Sequence, residues 1–201
     1  ETEFKDVFQD THVETELPET QVEFDLPAML DRDYVEDNVE RLNLYRKLAE
    51  AKSLEDIKDW QEEMNDRFGP LPENAQNLVK AAKLKYYGSH NLLKKITVRS
   101  GRMGLAGPKS STETGQQFYE GGTFQNLMKY IESEKQDKFK VSQKNDAVHI
   151  VVQEIPDMDA AIDFLEQTPI EMLDPDNILD SEGIKKITEL TSRQQILANQ
   201  I

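Results

Sequence analysis

Apolar side chains return every three or four residues between about residue 33 and residue 88, which is the period of an amphipathic helix. The first such run predicts a helix that begins near Asp33, with Glu36 completing a capping box. The inward positions of this helix are predicted to be Val35, Val39, Leu42, Tyr45, Leu48 and Ala49.

A second and a third run follow after short connections. Ser53 is a good N-cap, and the stripe of the second predicted helix is Leu54, Ile57, Trp60, Met64 and Phe68. Gly69 and Pro70 end that helix, and Pro72 fits the first turn of a third one, which is predicted to end near Gly88. Its inward positions are predicted to be Ala75, Leu78, Val79, Ala82 and Tyr86. The short connection makes the first two helices an antiparallel hairpin.

Beyond Leu92 the apolar positions alternate, which is typical of strands. The alternation predicts two hairpins, with turns at Ser100-Gly101 and at residues 144–146, and a short strand at residues 22–26. Helices are predicted at residues 123–133 and after Asp157, and a mobile surface loop at residues 107–117. We therefore expect an α+β fold, in which a helical hairpin and a third helix pack with a small, mainly antiparallel sheet and further helices.

Charge and composition divide the chain into three expected segments. Residues 1–25 are expected to form an acidic arm or linker, residues 26–172 a folded domain, and residues 173–201 an amphipathic helical extension. Because the chain begins with Glu1 rather than Met, we expect an excised segment of a longer protein. The absence of a long apolar run favours a soluble, cytoplasmic protein with no membrane partner.

The net charge of −15 argues against nucleic-acid binding over the whole surface. Residues 80–109 nevertheless contain no Asp or Glu and are strongly basic. This basic segment either neutralises the acidic helices or contacts phosphates. The candidates for phosphate contact are Lys83, Lys85, Lys94, Lys95, Arg99 and Arg102.

Catalytic and cofactor sites are not predicted. The absence of cysteine excludes disulfides and thiolate chemistry, and His12, His90 and His149 have no metal-ligand spacing. The glycine-containing segment 101–111 fails as a phosphate loop because Pro108 separates Gly107 from the lysine. Neighbouring acids such as Glu62 and Glu63 are frequent in a chain with 39 acidic residues, and we interpret them as solvated surface. We expect no enzyme activity, no metal and no cofactor.

Four stretches carry a family resemblance: Leu26-Pro27, Tyr34–Asp37, Arg41–Ala49 and Glu63–Pro72. Together they resemble the C-terminal domain of the bacterial transcription-repair coupling factors (Mfd). Members of this family are ATP-driven DNA translocases that displace stalled RNA polymerase and recruit UvrA for nucleotide excision repair of DNA damage. The resemblance implies a non-catalytic, autoinhibitory domain, which docks on the UvrB-like module of the same protein and masks its UvrA-binding surface.

The same resemblance implies the contact residues. Glu63 and Asp66 match the acidic positions that face arginines of the UvrB-like module, and a spacing of three places both carboxylates on one side of a helix. UvrA, RNA polymerase and DNA are implied as indirect partners through the parent protein. The alternative function is an accessory module that contacts nucleic acid through the basic segment 80–109.

Overall fold

Six helices and one five-stranded sheet make up the part of the chain that the computed structural model describes, which is residues 17–133 and 136–167. In chain order the elements are β1 (Gln21–Phe24), α1 (Asn38–Ala49), α2 (Leu54–Phe68), α3 (Glu73–His90), β2 (Lys95–Arg99), β3 (Arg102–Ala106), α4 (Glu113–Glu120), α5 (Gly122–Ser133), a 3₁₀ turn (Gln136–Lys138), β4 (Phe139–Lys144), β5 (Ala147–Gln153) and α6 (Met158–Gln167). The predicted terminal helix within residues 173–201 lies outside the described residues.

The strands lie in the order β1-β2-β3-β5-β4. Strand β1 is parallel to β2, and the other neighbours are antiparallel. Both predicted hairpins are confirmed, since Val98 pairs with Met103 across the first turn and Lys144 pairs with Ala147 across the second. The predicted α+β fold, with a mainly antiparallel sheet, is confirmed.

Two hydrophobic cores meet at α3, one at the beginning of the helix and one at its end. The first, which we call the helical core, joins α1, α2 and the beginning of α3 around Trp60 and Met64. The second, the sheet core, joins one face of the sheet to the end of α3 and to α4, α5 and α6. Leu54 and Tyr86 pack against both clusters. The two cores are therefore continuous through α2 and α3.

Helix α2 follows the sequence prediction closely. The Ser53 side chain accepts a hydrogen bond from Asp56 N, and the Asp56 carboxylate accepts one from Ser53 N, which completes a capping box. Gly69 ends the helix at a φ of 85°, which favours glycine. Trp60 is 1% exposed and donates its indole N–H to the Leu44 carbonyl at 3.0 Å, as the core prediction requires.

Helix α1 departs from its prediction. Its N-cap is Asp37 rather than Asp33, because the Asp31 carbonyl accepts hydrogen bonds from residues 34 and 35 in a separate preceding turn. Three positions predicted to face inward are exposed: Val39 at 69%, Leu42 at 50%, and Ala49. Since α1 packs on α2 and α3 along one narrow side, it buries Leu44 and Leu48 and packs Tyr45 partly against the helical core, while these three positions face solvent.

The loop prediction for residues 107–117 is wrong from Glu113 onward, where α4 begins. Thr112 caps α4 by accepting a hydrogen bond from Gly115 N, and α4 continues to Glu120. A Cβ on Gly115 would lie 3.0 Å from Ser110 Cα and closer still to the Lys109 carbonyl, so the helix packs directly on the preceding backbone. A segment without large apolar side chains is thus ordered by backbone packing, which hydrophobic periodicity does not register.

Helix α3 also continues two residues past its predicted end at Gly88. A Cβ on Gly88 would lie 2.9 Å from Thr20 Cβ. Thr20 itself is buried and donates its hydroxyl hydrogen to the Leu93 carbonyl at 2.6 Å. This glycine therefore serves a close approach between α3 and the residue preceding β1, and it does not end the helix. No helix among the described residues has the length and apolar character needed to cross a membrane.

Candidate interaction site

Glu63 and Asp66 project from the side of α2 that the helical core leaves uncovered. Because Ile57, Trp60 and Met64 are buried on one side of this helix, positions 63 and 66 fall outside the core stripe. Asp66 is exposed, whereas the Glu63 side chain is only 27% exposed. The two residues suggested by the family resemblance are accordingly both on the surface, in different environments.

The Glu63 carboxylate is already paired within the chain. One oxygen contacts the Lys47 ammonium of α1, and the other accepts a hydrogen bond from Arg67 Nη1 at 2.7 Å. Arg67 also pairs with Glu40 of α1, so four charges of alternating sign link the two helices. The hydrogen bond from Lys47, followed by the one from Arg67, holds the pKa of Glu63 below its usual value. Glu63 is thus a charged group with its partners in place.

Asp66 has no ion pair or side-chain hydrogen bond to any residue in the described part of the chain. It lies one residue before Arg67, whose guanidinium is occupied by Glu40 and Glu63 and stacks over the Phe68 ring at 4.9 Å. The site therefore presents one unpaired carboxylate beside a closed ion-pair network. Such an arrangement suits docking by a cationic side chain and supplies no pair of groups for acid–base catalysis.

Exposed apolar side chains accompany these charges on the hairpin. Val39 and Leu42 project from α1, and Met29 and Leu26, in the segment before α1, are 45% and 48% exposed. Val39 and Leu42 had been predicted to lie in the core. Their spacing alone could not reveal this, since the helical period gives no indication of how wide a face is buried.

The basic segment 80–109 extends over the three elements α3, β2 and β3. On α3, Lys80 pairs with Asp159 and Lys85 pairs with Glu19. On β2, Lys95 and Arg99 both pair with Glu23 of β1. The remaining candidate cations have no ion pair among the described residues: Lys83, Lys94 and Arg102. Residues adjacent in sequence therefore do not form one continuous basic surface.

The histidines and the glycine-containing segment have structural surroundings. His90 is 6% exposed, and its Nδ1 lies 2.9 Å from the Tyr86 carbonyl, whereas His149 lies opposite Ser142 in the β4–β5 pair. Asp146 lies in the turn between β4 and β5, and its carboxylate reaches the loop before α4. There it accepts hydrogen bonds from Ser110 Oγ at 2.6 Å and from Ser111 N. His12 lies outside the described residues, within which no cluster of three or more potential metal ligands occurs.

The described residues form an α+β domain that carries Glu63 and Asp66 on the surface of its helical hairpin. Residues 24–118 match the family model of the TRCF domain. Similarity to transcription-repair-coupling factors is found in Bacillus subtilis (26% identity over 54% of this chain), Escherichia coli (36% over 33%) and Staphylococcus aureus (28% over 39%). The resemblance inferred from sequence is confirmed.

A solved structure agrees at the level of the fold. A crystal structure of the C-terminal domain of a transcription-repair coupling factor superposes with a TM-score of 0.59 at 15% identity, covering 74% of this chain and 88% of that one. The matched regions amount to 9%, 6% and 7% of the three curated relatives. The chain thus corresponds to a small part of proteins that are much longer.

Proposed function

We propose that this chain is a non-catalytic regulatory domain, which docks on a UvrB-like module of a longer protein and covers that module's UvrA-binding surface. Release follows when the longer protein, an ATP-driven DNA translocase, engages stalled RNA polymerase during transcription-coupled nucleotide excision repair in the bacterial cytoplasm. The observation that best supports this proposal is the unpaired, exposed Asp66 beside Glu63 on the hairpin of the TRCF domain.

The ion-pair network favours reversible docking. An arginine that approaches Glu63 has to displace Lys47 or Arg67, so one charge pair is exchanged for another. Such an exchange contributes less free energy than pairing an isolated carboxylate. Asp66 has no partner to displace, so it provides the net new contact. The proposed clamp is therefore strong enough to close within one protein chain and weak enough to open.

The charge test is made in the longer protein, where the module and this domain are tethered at high effective concentration. Replacing both acids, as Glu63→Lys with Asp66→Lys, places cations opposite the arginines and opens the clamp. We expect UvrA binding to the longer protein to tighten, by about tenfold or more if each buried pair is worth on the order of 2 kcal/mol. UvrA affinity is measured by titration with purified UvrA.

The matched control is Glu120→Lys with Asp163→Lys, which changes the net charge equally. Both residues are exposed, lie on α4 and α6, and have no ion pair in the described part of the chain. UvrA affinity in this control should equal that of the unmodified protein. An equal increase in both variants would assign the effect to net charge and would overturn the proposed docking face.

Single substitutions, Asp66→Asn and Glu63→Gln, distinguish the contributions of the two acids to docking. Because Asp66 provides the unpaired carboxylate, Asp66→Asn should account for most of the effect, whereas Glu63→Gln should account for less. The reverse order would mean that breaking the network, rather than losing a contact, opens the clamp.

A further inference from the structure

Among the described residues, no helix covers the face of the sheet that is turned away from α3–α6. Along β2, β3 and β5 the residues alternate between the sheet core and the opposite face, and the strand pairing extends this second set to β1 and β4. We call the second set the outer sheet face. It comprises Gln21, Glu23, Lys95, Thr97, Arg99, Arg102, Gly104, Ala106, Lys140, Ser142, Lys144, Ala147, His149, Val151 and Gln153. Of these residues only Ala147 is buried.

This face is cationic although the chain carries a net charge of −15. Five of its members are Lys or Arg, and a single member, Glu23, is acidic. Glu23 pairs with Lys95 and Arg99, whereas the other three cations have no ion pair among the described residues: Arg102, Lys140 and Lys144. Lys140 and Lys144 come from β4, far along the chain from the basic segment, and only the strand order places them on the same face.

The cations are spread over a distance that is too large for a single small anion to contact all of them. Arg99 and Arg102 are directly opposite each other in the β2–β3 pair. Arg102 and Lys140 lie two strands and two residues apart, which is about 12 Å, and Lys140 and Lys144 are about 13 Å apart along β4. An array of this width fits a polymer of negative charges.

The centre of the face distinguishes between two kinds of polyanion. It is made of the small or polar side chains Thr97, Gly104 and Ser142, and Val151 is its largest apolar member. The centre of a protein interface is typically rich in Tyr, Trp, Phe and Met, and none of these is present on this face. The His149 imidazole is its single aromatic ring, so the face offers one stacking position rather than the series of rings on which successive bases of a single strand stack.

We propose that the outer sheet face binds the phosphate backbone of nucleic acid without reading its sequence, through Arg99, Arg102, Lys140 and Lys144. Acidic side chains elsewhere on the domain repel a polyanion, so binding occurs with this face toward the phosphates. Glu23 limits the affinity because it already neutralises Lys95 and Arg99. The proposal concerns a surface separate from Glu63 and Asp66, and it does not depend on the proposed clamp.

The test is fluorescence anisotropy of a labelled, random-sequence DNA duplex titrated with the full chain over a series of salt concentrations. We expect binding that weakens steeply with salt. The variant Arg102→Glu/Lys140→Glu should bind at least about tenfold more weakly at low salt, and the slope of log affinity against log salt should fall in magnitude by about 2. Far-UV circular dichroism checks that the variant is folded.

The matched control, Arg32→Glu/Lys52→Glu, changes two exposed cations that precede α1 and α2 and that make no ion pair in the described residues. It changes the net charge equally and should bind DNA severalfold more tightly than the sheet-face variant. Equal losses in both variants, or no binding of DNA at the lowest salt, would overturn the proposal. So would polyglutamate that binds as tightly as DNA, because the face would then select acidic polypeptide.

A gain-of-affinity variant tests the role of Glu23. Glu23→Gln removes the single acid of the face and frees Lys95 and Arg99, so DNA affinity should rise severalfold and the salt slope should become steeper. Unchanged affinity would mean that Lys95 and Arg99 do not contact the DNA.

Discussion

The helical core and the sheet core differ in how far along the chain their members lie. The helical core forms between Leu30 and Val79, so a stretch of about fifty residues closes on itself. The sheet core extends from Leu84 to Leu165 and packs against Val22 and Phe24, which come before the whole helical core. The helical core is therefore formed by residues close together in sequence, whereas the sheet core requires β1 to meet residues that follow the whole helical core.

This difference assigns a particular role to α3. The helix lines the helical core with Ala75 and Val79, and the sheet core with Leu84 and Tyr87. Since Leu54 and Tyr86 pack against both cores, damage to one core should reach the other. We therefore expect the domain to unfold as a single cooperative unit, with two sources of stability.

The largest expected effect tests that cooperativity. Phe118 is fully buried in the sheet core, and Phe118→Ala should lower the free energy of unfolding by about 3 to 5 kcal/mol. Trp60 is the single tryptophan and lies in the helical core, so its fluorescence reports that core alone. In denaturant titration, we expect the fluorescence and far-UV circular dichroism midpoints to fall together.

A companion variant, Met64→Ala, removes a comparable buried side chain from the helical core and should cost about 2 to 5 kcal/mol. It too should give coincident transitions. If Phe118→Ala shifts the circular dichroism midpoint and leaves the Trp60 fluorescence midpoint unchanged, the two cores unfold separately.

An intermediate effect is expected where α3 meets the residue before β1. Gly88→Ala places a Cβ 2.9 Å from Thr20 Cβ, so Thr20 has to move and its hydrogen bond to Leu93 is strained. We expect a loss of about 1 to 3 kcal/mol in thermal or denaturant unfolding, although alanine favours helices more than glycine does.

Thr20→Ala provides the control for this contact. Because the two positions touch, the double variant should lose less stability than the sum of the two single losses. Additive losses would mean that Gly88 is required for another reason.

The smallest effect concerns the ion pairs on the surface of the hairpin. The pKa of Glu63 is lowered from 4.5 in the folded state, chiefly by the hydrogen bond from Lys47. At pH values above about 4.5 the network contributes stability, which is lost as the pH falls through the lowered folded value, since the unfolded state then binds more protons. Because the groups are partly solvated, we expect the contribution to be below about 1 kcal/mol.

This prediction is checked by measuring unfolding free energies from neutral to acidic pH. Glu63→Gln should be less stable at neutral pH, and the difference from the unmodified chain should vanish toward pH 3. Glu62→Gln, a neighbouring exposed acid that pairs with Lys58 at 3.8 Å, provides the comparison and should show a smaller change. A difference for Glu63→Gln that persists at low pH would point to lost packing.

The parts of the fold that could be predicted are those decided by neighbours in sequence. The N-cap at Ser53, the helix end at Gly69 and the hairpin turn at Ser100 each depend on a few adjacent residues, and each is observed. Val39 and Leu42 were placed incorrectly because their exposure depends on what packs against α1. Helix α4 was missed because its first turn has no large apolar side chain, and its place is set by the close backbone packing at Gly115 and by the burial of Phe118 in the sheet core.

The same division applies to the candidate sites. The placement of Glu63 and Asp66 on the surface of one helix follows from their spacing, but the pairing of Glu63 with Lys47 requires the packing of α1 on α2. Only half of the cations on the outer sheet face could be grouped from the sequence. Arg99 and Arg102 are close in sequence, whereas Lys140 and Lys144 lie on the same face only because of the strand order. Long-range register is not encoded in any local pattern.

The position of β1 has a mechanical consequence. This strand comes before α1, yet it pairs in parallel with β2, which follows α3. A pull on the chain ahead of β1 is therefore transmitted to the sheet first, and the helical hairpin carries no load until Gln21–Phe24 separates from Lys95–Arg99. Once that strand detaches, tension reaches residues 27–30, which are held by the hydrogen bonds from Asn77 Nδ2 to the Pro27 carbonyl and from Met29 N to the Asn74 carbonyl. The surface that carries Glu63 and Asp66 is loaded only after the β1–β2 pairing and these bonds have broken.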